Sequence, residues 1–193
     1  MTAPGSPLPP DHPLARFEPL RRAERILLRA FRHGDIARIG LRRPVEASDD
    51  VTVRAAFLAE LALHGAGRAQ GRRIQLLGAW VLGRLDLGEC EVPSSLWFFR
   101  CVFDTTPLFD GARVRGALSF PDCELPGLLA ERCRIAQDLA VNAGCSVASE
   151  VRLQQAHIGG DFNATRLTLS GGESAIAGRR SLLADRLVGD GLV

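Results

Sequence analysis

The stretch "LLGAWVLGRLDLGECEV", residues 76–92, decides the fold. It holds one pattern twice: Leu76-x-x-Ala79-x-Val81, then Leu87-x-x-Cys90-x-Val92. The pattern continues as Phe98-x-x-Cys101-x-Phe103, Phe109-x-x-Ala112-x-Val114, Phe120-x-x-Cys123-x-Leu125 and Ala130-x-x-Cys133-x-Ile135. Cys145-x-Val147 and Leu153-x-x-Ala156-x-Ile158 follow. The small residue recurs in steps of 11, 11, 11, 11, 10, 12 and 11, so the short and long steps cancel.

Apolar residues alternate inside each unit, as in Leu85-Asp86-Leu87 and Leu118-Ser119-Phe120. Alternation is the mark of a strand and excludes a helical period. Turn-forming residues separate these very short strands. Two units, 22 residues, make one coil with four short faces, and stacked coils sit about 4.8 Å apart. Each coil buries its apolar faces only against its neighbours. The spacing therefore predicts a mainly β, right-handed quadrilateral β-helix of about five coils over residues 71–193.

The repeat also answers what the cysteines are for. All five, Cys90, Cys101, Cys123, Cys133 and Cys145, occupy the one repeat position that otherwise holds Ala. A site that accepts only Ala or Cys is limited in size, and free Cys acts there as a small hydrophobe. Two internal columns are expected: Ala79, Cys101, Cys123 and Cys145 on one side, and Cys90, Ala112, Cys133 and Ala156 on the other. Metal ligation needs short ligand spacings. The four histidines, His12, His33, His64 and His157, are scattered, so no metal and no cofactor is expected.

The remaining chain is different in kind. "MTAPGSPLPPDHP", residues 1–13, is Pro-rich, lacks an apolar signal core and reads as a disordered tail. Residues 14–33 place Leu14, Phe17, Leu20, Ile26, Leu27, Ala30 and Phe31 near one helical face, with Gly34 as the stop. Ser48 or Asp49 is the expected cap of a second helix ending at Gly65. Residues 14–70 thus read as an N-terminal helical cap. "GAGRAQG", residues 65–71, approaches the dinucleotide fingerprint but has a gap one residue too long and follows a helix.

All 24 basic residues are Arg, and the chain carries a net charge of +2. Nine Arg face three acids between Leu14 and Arg43, a local +6, which marks a basic helix suited to an anionic surface. From Gly71 onward 13 Arg meet 14 acids, a net of −1 that gives no nucleic-acid signal. No apolar run reaches the ~18 residues of a spanning helix, and a cytoplasmic location is expected.

The small-then-apolar pairs Ala79-Trp80-Val81, Cys90-Glu91-Val92, Cys101-Val102-Phe103, Cys123-Glu124-Leu125 and Cys133-Arg134-Ile135 resemble the pentapeptide-repeat superfamily of quadrilateral β-helices. The unit here is nearer 11 residues than the family's regular 10. "GAWVLGRLDL" (Gly78–Leu87), "GARVRGALSF" (Gly111–Phe120) and "QAHIGGDFNA" (Gln155–Ala164) are similar to the bacterial β-helical proteins with a "GAxIxGxLDL" string. "VRAAFLAELAL" is similar to their N-terminal helix, so the resemblance covers about residues 50–193. It implies a topoisomerase or nucleic-acid-process modulator, or, through the label "membrane-associated oxidoreductase" that some relatives carry, an oxidoreductase.

The residues themselves show no HExxH, GxSxG, P-loop or CxxC, and no catalytic residue is expected. Trp80, Trp97 and Phe99 fall at outward positions with Arg100 beside them, the composition of a protein-binding hot spot. A non-enzymatic interaction or scaffold module is the favoured reading. Its expected partner is another protein, or a second copy joined through the last coil, "LLADRLVGDGLV".

Overall fold

The computed structural model describes residues 12–65 and 73–170, with the backbone of two further strands, Ile176–Ala177 and Leu183–Val188. The protein is a mainly β, parallel β-solenoid of about four turns of about 22 residues, preceded by helices. Each turn has four short faces. The first stacks Ile74–Leu77, Leu96–Phe99, Leu118–Ser119, Leu139–Ala140 and the end of His157–Asn163. The second stacks Trp80–Leu82, Val102–Phe103, Glu124–Leu125, Ser146–Val147 and Thr168–Leu169. The third is carried by bridges joining Asp86, Leu108 and Leu129, then by Leu128–Leu129, Val151–Arg152 and Ile176–Ala177. The fourth stacks Glu91–Val92, Arg113–Val114, Arg134–Ile135 and the start of His157–Asn163. The fifth expected coil falls largely outside the described residues, as do residues 1–11, most of "GAGRAQG" and the side chains of "LLADRLVGDGLV".

Inward residues are large and apolar. Phe98 stacks on Phe120 with ring centroids 5.3 Å apart, and Phe103 and Phe109 meet Phe120 edge-on at 5.9 and 6.4 Å. Such rings contribute about 1.5–3 kcal/mol each on burial. The small positions lie where the chain bends. Ala79, Cys101, Cys123, Cys133, Cys145, Ala112 and Ala156 are buried, and Cys90, in the first turn, is half-buried. The Ala79, Cys101, Cys123 and Cys145 carbonyls each accept a bond from the strand one turn on, at Val102, Glu124, Ser146 and Thr168.

Space there is set by backbone. The Cys123 thiol lies 3.2 Å from the Phe98 carbonyl, and the Cys101 thiol 3.4 Å from the Phe99 carbonyl. A thiol donates weakly to such carbonyls, while a larger side chain would collide with them.

The bend itself has a fixed conformation. The residue before every small position has positive φ: Gly78, Glu89, Arg100, Gly111, Asp122, Arg132, Gly144 and Gln155. This left-handed region costs a non-Gly residue about 1 kcal/mol. At Gly78 glycine is needed for space as well, since a Cβ would collide with the Gly40 carbonyl.

The irregular steps have a location. Second-face pairs keep one spacing throughout, as in Val81–Phe103 and Leu125–Val147. The third turn loses a residue at its Pro126–Gly127 corner, so Leu108 bridges Leu129 and Val114 pairs with Ile135. The fourth turn regains it at the Asn142–Gly144 corner, where Ala143 and Gly144 both have positive φ.

The N-terminal segment carries the expected helices and, besides them, two short strands. A short 3-10 turn, Ala15–Phe17, precedes helix α1, Arg22–His33, because Pro19 interrupts the run. Gly34 ends α1 with φ 78°. Helix α2 spans Ala55–His64 and begins after Arg54, so neither Ser48 nor Asp49 caps it. Thr52–Arg54 is instead a strand on Trp80–Leu82, and Ala37–Arg38 is a strand on Ile74–Leu77. The β-branched Thr52 and Val53 suit a strand, and the edge of the first turn supplies its partners. Two faces of the solenoid are therefore extended by half a turn that the repeat does not encode.

α1 and α2 pack their apolar sides into the same continuous core, with Phe17 edge-on to Phe57 at 5.6 Å. The fully buried Glu24 ties the pieces together. Its carboxylate accepts from the Arg21 and Arg54 backbone N–H groups and from the Arg54 guanidinium at 2.6–3.1 Å. Hydrogen bonding to Glu24 raises the Arg54 pKa further above its usual range. Among the described residues no helix is long and apolar enough to cross a membrane.

Candidate functional site

Alternation along Leu96–Phe99 sends Leu96 and Phe98 inward and Trp97 and Phe99 outward. Trp97 and Phe99 are half-buried and meet edge-on at 6.3 Å, and the Arg73 guanidinium lies 4.7 Å from the Trp97 ring centre. Arg100 follows at the corner with φ 51°. These three expected site residues share one edge. Trp80 does not join them: it lies on the second face, half-buried, in register with Thr52 and Val102. The Trp80 indole nitrogen and the Thr52 hydroxyl are buried without a partner among the described residues.

Beside Phe99 runs a groove of about 410 Å³. Leu77, Phe99, Pro121 and Ala143 form its floor, one from each successive turn, and Ile36 closes one end. Arg100, Asp122 and Arg166 form its rim. The rim residues come from the left-handed corners, which turn their side chains outward. Asp122 accepts from Arg100 Nε at 3.1 Å and from Arg43 Nη2 at 3.0 Å. Arg166 is exposed and has no ion-pair partner among the described residues.

Arg43 belongs to a strap, residues 39–50, that bounds the groove on the second-face side. The strap starts against the first turn, where Ile39 and Gly40 donate to the Leu77 carbonyl. It reaches the third and fourth turns through Arg43, bonded to Asp122 and Ser146 and 3.9 Å from Glu124. Arg100 Nη1 holds it from the other side at the Leu41 carbonyl, 2.7 Å away. The strap shows Leu41 and Val45 to solvent at 74% and 96% exposure.

Sequence reasoning found Phe99 and Arg100 but missed Ile36, Leu77, Pro121, Ala143, Arg166 and the strap. A signal existed: Leu77, Phe99 and Pro121 recur in steps of 22, and Arg100, Asp122 and Arg166 keep a phase of their own, which Ala143 joins in the structure. Two sets of exposed charges make ladders instead. Glu91 pairs with Arg113 and Arg115 on the fourth face, and the Glu89 carboxylate passes over Gly111 toward Arg132.

Four thiols of the columns are buried. Burial pushes Cys133 and Cys145 up to about 12 and Cys123 well above its usual value, so these groups stay protonated and unreactive at neutral pH. Among the described residues no group of three His, Cys, Asp or Glu converges to hold a metal. Comparison of the chain with protein-family models, curated proteins and solved structures found no match.

Proposed function

We propose that this chain is a non-enzymatic interaction or scaffold module that holds another protein against the outside of its solenoid. The observation that carries this reading is the groove: an apolar floor contributed by four successive turns, Phe99 among it with Trp97 edge-on beside, and a rim of charged corners. Such an anchor pocket in a rigid wall is the usual centre of a protein-binding hot spot. Stacked turns fix the groove, so binding requires little ordering of the receptor.

Kinship with pentapeptide-repeat proteins belongs to the same proposal, supported by the columns of small residues. DNA mimicry of the kind some of those proteins use calls for an acidic surface. The outer fourth face, where Glu91 pairs with Arg113 and Arg115 and Arg134 follows on the next strand, favours protein binding instead. A homodimer joined through the last coil and a cytoplasmic setting belong to the same reading.

The test is a pull-down from native-host lysate with nuclease present, comparing the wild type with Phe99→Ala and Trp97→Ala. A protein retained by the wild type and lost by Phe99→Ala is the expected result. Retention by both variants, or a yellow eluate carrying a nucleotide cofactor, overturns the reading.

A further inference from the structure

We propose that the groove takes an extended acidic segment of the partner, two of its carboxylates about four residues apart gripping Arg100 and Arg166, with apolar side chains between them. This rests on the protein-binding reading above and adds the chemistry of what binds.

Charge is the first reason. The rim's one acid, Asp122, is already held by Arg43 and Arg100, which leaves the groove edge cationic. Arg166 has its whole guanidinium fork open among the described residues, the geometry that takes a carboxylate through two parallel bonds. Arg100 commits Nε to Asp122 and one Nη1 hydrogen to the Leu41 carbonyl, which breaks its Nε–Nη2 fork and leaves it the weaker grip. Arg166 is therefore the main anchor.

Spacing is the second reason. Arg100 stands at the corner of the second turn and Arg166 at that of the fifth. Three strand spacings separate them, roughly 14 Å, which an extended chain covers in about four residues. Between them lie Pro121 and Ala143, whose apolar surfaces match the intervening residues. The segment runs along the solenoid axis, across the strands, so its main chain joins no ladder and recognition rests on side chains.

The experiment uses the full chain and fluorescein-labelled peptides read by anisotropy. One peptide is Gly-Glu-Leu-Pro-Val-Glu-Gly. A second places the two Glu side by side, and a third replaces both by Lys. The spaced Glu peptide is expected to bind about fivefold tighter than the clustered one, and more weakly as salt rises. Arg166→Glu weakens it about tenfold and improves the Lys peptide, and Arg166→Lys weakens it about threefold by removing the fork. These exposed substitutions leave the core intact, which thermal melting checks.

Equal affinity for spaced and clustered peptides, or no change with Arg166→Glu, overturns the inference. If that happens while Phe99→Ala still releases the captured protein, the protein-binding reading stands and only its acidic partner falls. Self-association of the chain that Phe99→Ala abolishes also overturns it, because the occupant is then a second copy.

Discussion

The half-turn built from Ala37–Arg38 and Thr52–Arg54 and the repeat turns beyond it use the same pairing by different means. Both place an apolar residue inward in register with the next strand: Ala37 with Leu76, Val53 with Val81, then Val81 with Phe103. Both bury it completely. Yet the half-turn has no small-residue corner and no 11-residue step. A long strap joins its strands, and an ion pair between buried Glu24 and half-buried Arg54 ties it to α1, whereas the repeat turns stack phenylalanines. A parallel ladder thus asks only for the right inward parity, whereas the repeat encodes corners and stacking on both sides.

The strongest way to break this comparison is to remove its first member. Deleting residues 1–70 uncovers the edges of Ile74–Leu77 and Trp80–Leu82 and the apolar end of the core. The truncated chain is expected to aggregate, and light scattering checks this. A monomeric product shows that the half-turn is dispensable to the rest. Next, Phe120→Ala removes the ring that meets Phe98, Phe103 and Phe109, and should cost about 4 kcal/mol in urea unfolding. Glu24→Ala strips Arg54 and the start of α1 of their shared acceptor, at an expected loss of about 3 kcal/mol. A loss much below that of Phe120→Ala means the half-turn leans on its helices rather than on the pair.

Smaller effects sharpen the boundary between the two regions. Gly78→Ala drives a Cβ into the Gly40 carbonyl at the point where strap meets repeat, for about 2 kcal/mol, while Gly83→Ala meets open space and carries only the strain of its left-handed backbone, about 1 kcal/mol. The effect that vanishes at neutral pH concerns the columns. The thiols of Cys133 and Cys145 rise from near 9 to about 12 on folding. Below 9 both states hold the proton. Between 9 and 12 only the folded state does, so stability falls as pH climbs through that window. Cys133→Ala should flatten the fall, measured by urea midpoints across that range.

The repeat regions were legible because inward sites tolerate few residues. The size limit at the corners wrote Ala or Cys into the chain at fixed intervals, and the faces wrote apolar residues between them. The left-handed corners were harder to see. Only Gly78, Gly111 and Gly144 betray them, while Glu89, Arg100, Asp122, Arg132 and Gln155 adopt the same backbone under side chains that face solvent. The strap left no trace, since a segment lying on the outside obeys no inward rule. Thr52–Arg54 was hidden for a related reason: its partner strand lies on the far side of α2 in the chain, and local helix signals outweighed three extended residues. Of the candidate site, the aromatics stood out by type, whereas Arg166 is set apart only by its place in the stack.

The shortened corner at Pro126–Gly127 and the lengthened one at Asn142–Gly144 carry a consequence for how such a molecule changes over time. Faces keep strict parity, but corners absorb insertions and deletions, and a lost residue needs only a later gain at another bend. Between the two events the linear text runs out of frame while the solid object keeps its beat. Length changes in corresponding pairs are therefore near-silent mutations for this architecture, and the outward corner residues can drift in identity and number while the wall behind them stays the same.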